Sequence, residues 1–102
     1  MSKKDFSNNL DLLMQQEESL LGFLKAKYPM FHNSNFFYRD LQYGIRSFME
    51  KKGIDITYTE AAELADAISK EFENKGIFVR MNKSGWKINY LEFATTEPGD
   101  PF

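Results

Sequence analysis

A chain of 102 residues, 42% hydrophobic and 16% aromatic, is long enough for one folded domain, too short for two, and too apolar to be disordered throughout. The net charge of −2 singles out no partner, but the absence of cysteine excludes disulfides, thiol catalysis and cysteine-ligated metal, and fits a reducing, cytoplasmic setting. No apolar run approaches the roughly 18 residues of a membrane span, and Met1 to Phe6 lack the apolar segment of a secretion signal, so a soluble protein is expected.

Residues 1–6 are expected to fray ahead of a single domain over 7–93. Ser7 and Asn9 are both good caps for a first helix over 9–28, and Pro29 stops it. Leu10, Leu13, Met14, Leu20, Leu21, Leu24 and Tyr28 fall near one face of that helix, with Leu12 and Phe23 off the stripe. The surplus either docks across the domain or joins a partner, with a second copy of the chain as one candidate.

Ser34 or Asn35 should cap a second helix whose buried face is Phe37, Leu41, Gly44, Ile45, Phe48 and Met49, ended by Gly53. Tyr28, Phe31, Phe36, Phe37, Tyr38 and Tyr43 surround it, more rings than one helix can bury. Phe36, Tyr38 and Tyr43, with Leu12 and Phe23, are therefore the expected partner-contact residues. Ile54, Ile56 and Tyr58 alternate with Asp55 and Thr57, which predicts a short edge strand.

The firmest local signals come next. Thr57 and Glu60 have capping-box spacing, Ala61, Leu64, Ala65, Ile68 and Phe72 recur at helical intervals, and Lys75 with Gly76 marks the end of a third helix. The period then drops to two: Ile77, Val79 and Met81 alternate with Phe78 and Arg80, and Trp86, Ile88 and Tyr90 alternate with Lys87, Asn89 and Leu91. Asn82, Lys83, Ser84 and Gly85 form the loop of this hairpin, and residues 94–102 have the composition of an unstructured tail. The predicted fold is α+β: three helices and a small antiparallel sheet, arranged like a winged helix.

Little in the chain suggests a reaction. His32 is the sole histidine and stands in a polar loop without a motif, and the aligned Glu60, Glu63 and Asp66 read as a solvated helix face. A non-enzymatic protein without cofactor or metal is expected. Charge is unevenly spread, with six acids against two lysines in residues 53–76 and three bases against one acid in residues 77–93. In a winged helix the last helix would enter a DNA groove, where Glu60, Glu63, Asp66, Glu71 and Glu73 would meet phosphate repulsion. The alternative is a nucleic-acid-binding regulator that uses Arg80, Lys83 and Lys87 of the hairpin with Arg39 and Arg46.

The segment from Thr59-Glu-Ala-Ala-Glu-Leu64 through Asn74-Lys-Gly-Ile-Phe-Val-Arg80 to Trp86 and Tyr90-Leu-Glu-Phe93 resembles the second half of a DEP domain, a winged-helix relative. The likeness is confined to that segment, because Phe36 to Phe48 lack the Phe-Gly and Trp-Leu landmarks of the family. It implies a module that docks on proteins or anionic membrane surfaces and has no activity of its own.

Overall fold

The computed structural model describes residues 3–28 and 30–90. In chain order it contains α1 (Lys3–Gln15), α2 (Glu17–Lys27), β1 (Asn35–Phe37), α3 (Tyr38–Lys51), α4 (Tyr58–Asn74), β2 (Phe78–Asn82) and β3 (Gly85–Ile88). The three strands form one antiparallel sheet in the order β1-β3-β2. The chain is therefore a small α+β protein with four helices among the described residues, where the sequence suggested three.

The extra helix comes from a break at Gln16. The expected single helix over 9–28 is two rods, and the first already starts at Lys3, inside the stretch expected to fray. Gln16 leaves helical geometry at φ −111 and ψ 35. With that bend α1 lies on α4 while α2 lies on α3, so Leu13 of one and Leu20, Leu21 and Leu24 of the other all reach the core. Phe6, Leu10 and Leu12 pack partly buried against the same core.

The third strand is also not where alternation placed it. Ile54 to Thr57 joins α3 to α4 without pairing, and side chains of α3 bond to it and to the first residue of α4: Arg46 Nε donates to Ile56 O at 3.0 Å and Gln42 Nε2 to Tyr58 O at 2.9 Å. Asn35 to Phe37, expected to open a helix, instead pairs with β3, Phe36 opposite Trp86. The ladder continues on both sides, from Asn33 N–H to Ile88 O and from Tyr38 N–H to Ser84 O. Gly85 permits this pairing, because a Cβ there would stand 2.9 Å from Phe36 O.

The α4-to-hairpin segment forms as its local signals dictate. Thr57 Oγ1 accepts from Glu60 N–H at 3.1 Å and Glu60 Oε1 from Thr57 N–H at 2.8 Å, a closed capping box. At the other end Gly76 takes φ 76, and Gly76 and Ile77 N–H return to the carbonyls of Glu73 and Phe72, the Schellman pattern. Gly53 at φ 81 ends α3 by the same pair of bonds, to Glu50 and Met49.

Between helices and sheet runs a continuous line of rings: Tyr28 to Phe36, Phe36 to Phe78, Phe78 to Phe72 and Trp86, and Trp86 to Tyr38, with centroids 4.9 to 6.3 Å apart. In β2 it is Phe78 and Arg80 that share the inner face with Ile88 and Trp86, which leaves Val79 and Met81 outside. No helix among the described residues is long and apolar enough to cross a membrane. The tail expected over 94–102 lies outside the described residues.

Candidate functional site

The five expected contact residues separate into three environments. Phe36 is corrected outright: pairing in β1 turns it inward against Trp86 and Phe78, and it is 2% exposed. Leu12 and Phe23 are partly buried on the core, Phe23 edge-on to Phe48 at 5.6 Å with Lys51 Nζ over its ring. Tyr38 is half-buried, and its hydroxyl donates to Ala62 O at 3.2 Å. Burial first, and the neighbouring Asp66 second, raise its phenol above the ordinary tyrosine range. Tyr43 alone of the five is exposed.

The five basic residues separate as well. Arg80 is committed internally, with Nη2 on Glu73 Oε2 at 2.9 Å, Nη1 on the loop carbonyls of Asn82 and Lys83, and the guanidinium over the Trp86 ring. Trp86 Nε1 donates to the same Glu73 oxygen at 2.7 Å, so one carboxylate ties the hairpin to α4. Lys83 stands exposed in the loop, and Lys87 is half-buried opposite Val79. Arg39 is exposed at the start of α3, where it lines an open cleft of about 390 Å³ with Phe37, Asp40 and Lys83.

Arg46 is the basic residue whose surroundings sequence reasoning did not foresee. It is half-buried, its guanidinium carbon 4.3 Å from the centroid of Tyr58. Tyr43 meets Tyr58 edge to face at 5.2 Å, and both tyrosines are exposed, at 43% and 52%. Arg39, Tyr43 and Arg46 follow the i, i+4, i+7 spacing, so they share one stripe of α3. Tyr58 was missed because alternation assigned it to a strand; its position directly after the Thr57 cap was the signal that it opens a helix.

The exposed strip of α4 is Thr59, Glu63, Asp66, Lys70 and Asn74, bounded by the packing of α1 and α3. Of its five carboxylates, Glu60 closes the capping box, Glu71 pairs with Lys75 and Glu73 holds the hairpin, which leaves Glu63 and Asp66 facing outward. His32 sits in the loop before β1 with Nδ1 buried and unbonded. Among the described residues no group of three or more His, Cys, Asp or Glu is placed to hold a metal ion. Comparison with protein-family models, with curated proteins and with solved structures returns no match to this chain.

Proposed function

We propose that the chain is a winged-helix protein-interaction module without catalytic activity. The order helix, strand, helix, helix, hairpin over α2 to β3, with the first strand beside the last, is what favours the winged-helix reading. The function is a separate matter, since scaffolds of this kind serve many roles.

The carrying observation is the outward strip of α4. A winged helix that reads DNA places this helix in the major groove, and here its central exposed residues are Glu63 and Asp66. Phosphates would meet repulsion where a DNA binder gains counterion-release free energy. The hairpin cannot compensate, because Arg80 is already closed on Glu73. Leu12 and Phe23 pack on the core, which favours the exposed tyrosines over the N-terminal helices as the contact surface.

The second reading, nucleic-acid binding, is favoured by the exposed Lys83 in the loop, which lines one cleft with Arg39. Anisotropy titration with labelled duplex DNA at about 50 mM salt separates the two. The natural chain should not bind, and the double variant Glu63→Lys with Asp66→Lys should gain weak, salt-sensitive binding. Retention of duplex by the natural chain, weakened by Lys83→Ala and Lys87→Ala, would overturn the protein-interaction reading.

A further inference from the structure

Arg46 and Arg80 lie over aromatic rings, and among the described residues Arg80 has a counterion while Arg46 has none. Arg80 stands 4.9 Å from the Trp86 centroid, and Glu73 accepts from both, from Arg80 Nη2 at 2.9 Å and from Trp86 Nε1 at 2.7 Å. Cation, ring and carboxylate form a closed set within the chain. Arg46 repeats the first two parts, 4.3 Å from the Tyr58 centroid, with Nε donating to Ile56 O at 3.0 Å. The third part is missing. Among the described residues no carboxylate pairs with Arg46, and its two Nη groups donate to nothing.

That fork is held in place before any ligand arrives. The stacked ring and the Nε bond fix the plane of the guanidinium, and partial burial reduces the water that would screen a partner charge. Beside it are Tyr43 and Tyr58, two rings with few rotatable bonds, already ordered against each other. The Gln42 bond to Tyr58 O ties α3 to the start of α4 across the patch. Arg39, on the same stripe as Tyr43 and Arg46, is exposed and without an ion pair among the described residues. Tyrosine and arginine are the residue types that most often carry interface energy.

We propose that the Arg39, Tyr43 and Arg46 stripe, with Tyr58, docks an acidic peptide segment of another protein. Its carboxylate completes for Arg46 and Tyr58 the set that Glu73 completes for Arg80 and Trp86. The inference rests on the reading of the chain as a protein-interaction module and supplies the partner's chemistry. Seven residues of helix separate the two arginines by about 10 Å along the axis, the reach of about three residues of extended chain. The fitting segment is therefore extended, with acids three positions apart and an apolar side chain between them to lie on the tyrosine rings. A nucleic acid fits less well, because the helix that carries Tyr58 also presents Glu63 and Asp66 to its continuous run of phosphates.

The test is a random decapeptide library displayed on phage and selected against the full chain, with the winning peptides labelled and titrated by anisotropy. Enriched peptides should share the spaced acids, and their affinity should fall about tenfold or more with Arg46→Gln and with Tyr43→Ala, but not with Lys83→Ala. Arg39→Gln, at an exposed side chain without a bond to lose, should weaken binding while circular dichroism and Trp86 emission stay unchanged. Winners that lack acids, or that bind Arg46→Gln and Arg39→Gln as well as the natural chain, would overturn the site and leave the interaction-module reading standing. A library with no binder would overturn the site as well; duplex DNA retained through Arg39 and Arg46 would remove both.

Discussion

One oxygen of Glu73 accepts from donors on two different strands, Trp86 Nε1 of β3 at 2.7 Å and Arg80 Nη2 of β2 at 2.9 Å. The arginine pair is half-exposed and screened by solvent, so its own contribution is small. The indole is different: Trp86 is 1% exposed, and an unanswered N–H in that position costs about 1–3 kcal/mol. Glu73→Ala should therefore lower stability by about that amount, and Glu73→Gln, which keeps a carbonyl acceptor, by less. Urea unfolding followed by the emission of this sole tryptophan measures both; equal loss in the two variants would mean that the carboxylate's charge matters more than the indole bond. Sequence could place Glu73 on a helix and count it as acidic, but not reveal its partners. Those partners come from strands that fold back across the helix end, and helical periodicity contains no record of them. Phe36 was misplaced for the same reason.

Among the elements, α2 packs on α3 at Gly44. A Cβ there would collide with Leu24 Cδ2 and stand 3.4 Å from Tyr28 Cε2, and Leu24 is fully buried, with little freedom to withdraw. Gly44→Ala should destabilise by about 1–3 kcal/mol through overpacking, despite the better helix propensity of alanine. Gly22 lies exposed in α2 with nothing within 4 Å of its would-be Cβ, so Gly22→Ala should stabilise by about 0.5–1 kcal/mol. Thermal midpoints should move in opposite directions; a gain at Gly44 would mean that the two helices part easily. The elements legible in sequence were those fixed locally: α4 between its capping box and Gly76, and the hairpin by its change of period. The elements missed depend on distant partners. The β1 strand exists because β3 has a second edge to fill and Gly85 leaves room, and the break at Gln16 has no proline or glycine to announce it.

For the molecule as a whole, the question is whether α1 belongs to the same cooperative unit as α2 through β3. It packs on α4, and Leu13 is fully buried there, while Glu17 at the start of α2 accepts from Lys75 at the end of α4 at 2.9 Å. The ion pair is exposed on the lysine side and cannot hold the rods together by itself. The apolar contact can: removing a buried leucine side chain costs about 2–5 kcal/mol, a large part of the roughly 5–15 kcal/mol that stabilises a domain of this size. If α1 is integral, Leu13→Ala lowers the unfolding midpoint by the same amount whether it is followed by helical circular dichroism or by Trp86 emission from the sheet. If α1 is an appendage, dichroism shows an early partial loss and the tryptophan transition stays where it was. Coincident movement is the expected result, because α1 and α3 share α4 as a common support, and α4 in turn fixes Tyr58 beneath Arg46. A helix that braces α4 in this way would act on the proposed docking surface through α4.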